Sequence, residues 1–275
     1  MKVVLTIGGA DASGGAGIQA DIKTILANGC YGTSVVTALA AHNKKGTNKL
    51  TNISAEAVAL QLDLTLDAAC PDAVKIGMLP NAEIAKVVAE KLKEHDLDNI
   101  VVNPILLSAD GEELVPHDAF DIIVNEICPM ASLMTPDLNE LELFSGMKIE
   151  TKNDIITASK IASEKFGCIV ATKGGRIAGD AADLYFRDGY YKWFPGVIIA
   201  NPDLHDAGNA ISCAAACNMA KGYDPDKAYK ASKDFVTEML LNMVTIGKMR
   251  PVINHNAAIS GTYMGVLSDE ELSKM

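Results

Sequence analysis

The chain has 275 residues, 49% of them hydrophobic, and a formal net charge of −11. Such acidity repels a phosphate backbone and excludes nucleic acid as a general partner, although a nucleotide still fits a local glycine-rich cradle beside a cation. No apolar run reaches membrane-spanning length without a charge or glycine, no secretory leader is recognised at the start, and six scattered cysteines without a C-x-x-C pair read as the reduced thiols of a cytoplasmic protein.

The length suits one α/β domain over residues 1–275. Short β-branched runs at 3–7, 34–40, 73–77, 99–103, 131–135 and 168–172 read as strands. Between them, helical periodicity is expected at 17–28, 55–69, 81–95, 117–127, 138–145 and 153–166. This alternation predicts a three-layer fold: a central, mostly parallel sheet with helices on both faces. The rhythm then changes. Asp183 to Phe194 reads as a hairpin turning at Asp188-Gly189. Two helices are expected after it, over Gly208–Gly222 and Asp226–Ile246. Cys213 and Cys217 share one face of the first and read as small apolar packing residues.

The stretch from Ile7 to Asp21 carries the most information. It holds five glycines (Gly8, Gly9, Gly14, Gly15, Gly17) and two carboxylates, Asp11 and Asp21, between a strand and a helix. Glycine there admits positive φ or close backbone approach to a ligand. The spacing is not G-x-G-x-x-G, and no Lys-Ser/Thr follows the last glycine, so neither a dinucleotide turn nor a Walker loop is present.

The run T-I-G-G-A-D-A-S-G-G-A-G-I-Q-A-D-I-K-T resembles the opening of the hydroxymethylpyrimidine/phosphomethylpyrimidine kinases, ribokinase-like enzymes close to one class of pyridoxal kinases. Tyr31-Gly32, Thr37-Ala38-Leu39, Lys75-Ile76-Gly77-Met78-Leu79, Thr135-Pro136-Asp137-Leu138, Lys173-Gly174-Gly175 and Ala220-Lys221-Gly222 extend the likeness in family order. The resemblance implies a ribokinase-like fold, with ATP, Mg²⁺ and a small heteroaromatic alcohol at the C-terminal ends of the strands, and a homodimer. It implies transfer of the γ-phosphoryl group to hydroxymethylpyrimidine or its monophosphate. Pyridoxine or pyridoxal is the alternative acceptor, and a catalytically impaired ligand-binding homologue is the alternative from another class.

By the same resemblance, Gly9, Asp11, Asp21, His42 and Met78 form the substrate pocket. His42 stands for a family glutamine and keeps one of its contacts, not both. Lys173, Gly174, Gly175 and Asp137 belong to the nucleotide side, and Glu140 and Asn103 to the metal. Several positions depart from the family. Asn103 and Asp137 exchange amide and carboxylate relative to it, Arg176 replaces a histidine, and Gly247-Lys248-Met249-Arg250-Pro251 stands where the tail carries a glycine-rich G-x-G-P. The phosphoryl cradle of the family, T-H-G-T-G-C, is here Leu204-His205-Asp206-Ala207-Gly208-Asn209. Asn209 occupies the family base position and accepts no proton near neutral pH. Asp206 replaces the first cradle glycine, where it caps the next helix and opposes an incoming phosphate.

Overall fold

The computed structural model describes residues 1–43, 46–95, 97–107, 113–175, 177–179, 181–199, 207–248 and 251–259, without the side chains of 41–49 and 258. Strand β1 (Val3–Asp11) leads through the glycine-rich turn into α1 (Gly17–Ala27). β2 (Tyr31–Asn43) and β3 (Gly46–Asn52) follow, then α2 (Ala55–Ala69), β4 (Ala73–Ile76), α3 (Ala82–Lys93) and β5 (Ile100–Val102). Next come α4 (His117–Ile122), β6 (Leu133–Met134), α5 (Leu138–Ser145), α6 (Lys152–Phe166) and β7 (Ile169–Lys173). The last part holds β8 (Asp183–Arg187), β9 (Tyr190–Phe194), α7 (Ala207–Ala220), α8 (Pro225–Leu241) and a small ribbon, β10 (Val244–Thr245) with β11 (Pro251–Val252).

One nine-stranded sheet runs β3-β2-β1-β4-β5-β6-β7-β8-β9. Its six central strands, β2-β1-β4-β5-β6-β7, are parallel, and β3, β8 and β9 join at the edges through antiparallel pairings. Alternating strand residues divide the interior into two layers. Leu5, Val74, Val102, Met134 and Val170 face α2 to α6, while Val4, Ala73, Val101, Leu133 and Ala171 face α1, α7 and α8. The expected mostly parallel sheet with helices on both faces is thus present, and β1 lies inside it.

Three local expectations are corrected. β3 was not expected, because Gly46-Thr-Asn-Lys-Leu-Thr-Asn is polar and lacks a hydrophobic alternation; it exists as an edge strand paired to β2. The helix over 117–127 is α-helical only to Ile122 and continues as a π-helical stretch, Ile123–Ile127. The final helix stops at Leu241, and Val244–Thr245 instead pairs with Pro251–Val252.

Candidate active site

The carboxylate of Asp11 builds the glycine-rich turn from within. Its Oδ1 accepts the Ser13 N–H at 2.9 Å, and its Oδ2 accepts the Ser13 hydroxyl at 2.5 Å and the Ala16 N–H at 2.9 Å. Gln19 Oε1 accepts the Asp11 N–H at 2.7 Å. Gly17 has φ +58°, and a Cβ there would lie 2.3 Å from the Gly9 carbonyl oxygen, so no larger residue fits. Asp11, expected on the substrate side, is therefore buried and directed into the turn. Gly9 and Met78 do come together: a Cβ on Gly9 would sit 2.6 Å from the Met78 methyl. The Thr37 hydroxyl fixes Met78 by donating to its carbonyl at 2.8 Å. The side chain of His42 lies outside the described part of β2.

Asp21 is 1% exposed, on the face of α1 that meets the sheet. Its Oδ2 accepts the Thr6 hydroxyl at 2.5 Å and the Lys75 ammonium at 2.9 Å, and its Oδ1 accepts the Asn209 amide at 2.8 Å. The Asn209 carbonyl in turn accepts a hydrogen bond from Lys75. A Cβ on Gly77 would lie 2.9 Å from the Lys75 nitrogen, so glycine leaves room for the buried ammonium. Such a pair is desolvated on both sides and depends on complete hydrogen bonding. Asn209 thus closes a three-membered ring of side chains from β4, α1 and α7. Sequence reasoning missed Lys75 as a functional side chain. The signal was a lysine within Ala73-Val74-Lys75-Ile76, whose four residues are buried.

A second group lies at the ends of β5, β6 and β7. The Lys173 ammonium donates to Asn103 Oδ1 at 3.4 Å, and the Thr135 hydroxyl donates to the same oxygen at 3.4 Å. A Cβ on Gly208 would lie 2.8 Å from the Lys173 nitrogen, so the ammonium rests on the first turn of α7. Asp137 and Glu140 form a capping box on α5: Asp137 Oδ1 accepts the Glu140 N–H at 2.9 Å, and Glu140 Oε2 accepts the Asp137 N–H at 3.0 Å. Glu140 Oε1 also accepts the Leu106 N–H at 3.0 Å. Burial pushes the Glu140 carboxyl above the usual range, and the Lys173 ammonium pulls it the other way. Asp137 therefore serves as a helix cap; Asn103, Glu140 and Lys173 converge.

Lys173, Gly175, Ala181, Ile198, Gly208 and Lys233 are among the residues around a cleft of about 620 Å³. It opens between the β7–β8 loop, the start of α7 and the C-terminal half of α8. The first N–H groups of α7 have no intrahelical acceptor and form the positive end of that helix. The Lys173 ammonium adds a full charge at the same point. A helix N-terminus with an adjacent lysine at one end of an apolar cleft suits a polyphosphate with a ring attached. Another depression, about 540 Å³ near the start of α8, is lined by Lys192, Asp224, Asp226 and Lys230 and contains none of the expected residues. Asp206 and Arg176 lie outside the described residues.

The model of the phosphomethylpyrimidine kinase family matches residues 11–254. The hydroxymethylpyrimidine/phosphomethylpyrimidine kinase of Streptomyces coelicolor is 35% identical over 258 residues, covering 94% of this chain and 95% of that one. A Bacillus subtilis pyridoxal kinase solved with ADP superposes with a TM-score of 0.86 at 30% identity, over 94% of this chain and 98% of that one. A Staphylococcus aureus pyridoxal kinase solved with AMP-PCP and pyridoxal gives 0.85 at 28% identity, over 94% of each chain. With its sheet order, glycine-rich turn and family match in agreement, the chain belongs to the phosphomethylpyrimidine kinase family.

Proposed function

We propose that this protein transfers the γ-phosphoryl group of Mg-ATP to the hydroxymethyl group of hydroxymethylpyrimidine or its monophosphate. The observation that carries the reading is the Lys173 ammonium seated on Gly208 at the N-terminus of α7, at one end of the 620 Å³ cleft. The relatives bearing that kinase name support the choice of acceptor. The pyridoxal kinases of the same fold support a B6 vitamer as the second reading. The impaired-homologue reading has no support among these relatives.

In this reading the nucleotide lies in the cleft, against Gly174, Gly175 and the apolar segment Val197–Ile198. The acceptor ring packs on Met78 beside Gly9. Asp21 frames that pocket from beneath through Lys75 and Asn209. Phosphoryl transfer depends mostly on alignment and on neutralising the charge of the transferring group. Lys173 and the first amides of α7, including those of Ala207 and Gly208, supply that neutralisation. Asn209 supplies no base, so the acceptor proton leaves to another group, Asp206 or solvent. Magnesium is held readily by one or two carboxylates with phosphates and water. Glu140 fits that role, because a carboxylate keeps lone pairs beyond the two backbone bonds observed. Asn103 is a neutral oxygen already facing Lys173, and so is the weaker ligand. An ion held there would supply neutralisation of phosphate charge.

Two features support a homodimer. Leu39 and Leu50 on β2 and β3, and Leu60 and Leu64 one turn apart on α2, are all exposed near the β3 edge of the sheet. Cytoplasmic residence of one kinase domain over 1–275 agrees with six free cysteines and, among the described residues, no helix able to cross a membrane. The deciding assay is ATP turnover with hydroxymethylpyrimidine, its phosphate and pyridoxal in parallel. The fastest acceptor identifies the ring; no turnover with any of the three refutes the proposal.

A further inference from the structure

Asp183 opens β8, and in the antiparallel register it stands opposite Lys173. Its carboxylate is buried and gathers donors from two other parts of the fold. Oδ1 accepts the Gly174 N–H at 3.3 Å. Oδ2 accepts the Tyr229 hydroxyl at 3.1 Å and pairs with the Lys233 ammonium at 2.7 Å, both from α8. Lys233 also donates to the Ala181 carbonyl at 2.8 Å. Gly196 also packs close to that carbonyl, since a Cβ there would lie 2.3 Å from it. Ala181 has φ +51°, a left-handed conformation that an alanine holds only when its surroundings impose it.

These contacts act on the loop between β7 and β8, which forms one wall of the cleft. Gly174 is pinned at its start, and Ala181 at its end, by the same ion pair. Asp183 and Lys233 themselves line the cleft, whereas Tyr229 stands behind it. Tyr229 remains a donor, because burial raises its hydroxyl well above the usual range. A buried ammonium without its carboxylate is costly and would move to another partner or to water. The position of the wall therefore depends on one carboxylate.

We propose that Asp183 is a positioning residue for nucleotide binding: by holding Lys233 and the Gly174 amide, it fixes the cleft wall in the shape that receives the polyphosphate. The proposal rests on the kinase reading above. Asp183→Asn keeps the shape and an acceptor oxygen but removes the charge that holds Lys233. Titration calorimetry of the full chain with ADP, and separately with hydroxymethylpyrimidine and pyridoxal, tests it. Wild type is expected to bind ADP, and Asp183→Asn to bind it at least ~10-fold more weakly, a change of the size seen when a charged hydrogen bond is lost. Binding of whichever ring ligand the wild type takes should change less than ~2-fold. In turnover, KM for ATP should rise while KM for the acceptor stays. ADP binding equal to wild type in Asp183→Asn overturns the proposal, as does a parallel loss of both ligands, which would mark a general packing defect. If Asp183→Asn does not fold, Asp183→Glu, which keeps the charge and moves it by one methylene, is read by the same two outcomes. A wild-type protein that binds no ADP overturns the kinase reading, and this proposal with it.

Discussion

Asn209→Asp is the sharpest test of the buried ring. The substitution is isosteric, but it replaces the donor that faces Asp21 Oδ1 at 2.8 Å with a second carboxylate oxygen. Two unit charges at that distance repel by about 6 kcal/mol at an effective dielectric of about 20. If Lys75, shared by both groups, offsets half of that, about 3 kcal/mol remains, or about two pKa units. The introduced carboxyl is then held protonated to higher pH than a free one. Its folded pKa is raised above the unfolded value, so the variant matches an asparagine-like state below pH ~4. It loses stability as pH rises through ~4–6, and the deficit levels off at about 3 kcal/mol above that. Urea unfolding at pH 5 and pH 7.5 reads this directly. The deficit relative to wild type should be about 1–2 kcal/mol larger at pH 7.5. Asn209→Ala is the comparison: it removes two hydrogen bonds to charged groups, costs about 3 kcal/mol, and should show the same deficit at both pH values. An Asn209→Asp protein as stable as wild type at pH 7.5, or with a deficit independent of pH, would refute the arrangement of Asp21, Lys75 and Asn209.

Three further outcomes are expected. Gly17→Ala should lose at least ~2 kcal/mol in urea unfolding, since it combines a strained left-handed alanine with a Cβ contact of 2.3 Å to Gly9; a loss under ~0.5 kcal/mol would argue against the turn. His255 is buried against Thr24, and burial, aided by the Lys23 charge, lowers its pKa from 6.5 to about 4. Its folded pKa is depressed, so neutral His255 contributes stability above pH ~6.5 that is lost on acidification towards pH ~4, roughly 2–3 kcal/mol, and His255→Gln should flatten that part of the stability profile. Asp206→Gly, which removes a negative charge where the family motif implies a phosphoryl cradle, should mainly lower KM for ATP, and an unchanged KM would dismiss that expectation.

The parts of the fold legible in the sequence are those with strong local patterns. The parallel strands read as short apolar runs because they are buried on both faces. Edge strand β3 did not, because its sequence, Gly46–Asn52, carries no hydrophobic alternation to detect. At the site, Gly9 with Met78 and Glu140 with Asn103 and Lys173 do come together as the motif order implied. Asp137-x-x-Glu140 belongs to the family motif and is also a capping-box signature, and the box forms. The partners of Asp183 lie 46 and 50 positions away in sequence, at Tyr229 and Lys233, and no local pattern announces pairing at that range.

On the proposed reading Asn209 stands where the family resemblance implies a base, and its neighbours make that choice intelligible. An acceptor at this position would stand beside Asp21 and compete with it for Lys75. An amide avoids the competition by donating to the carboxylate and accepting from the ammonium at once. The side chain thereby ties α7, whose N-terminus faces the cleft, to α1, which follows the glycine-rich turn. In a loose phosphoryl-transfer transition state the acceptor oxygen gains little negative charge before the new bond forms, so early proton removal contributes less than alignment does. On the proposed reading, this chain has exchanged proton acceptance for a rigid link between the two helices that must present acceptor and phosphoryl donor to one another. The exchange is favourable only if alignment limits the rate. In that case Asn209→Ala, which breaks the link without offering a base, should lower kcat more than it raises either KM.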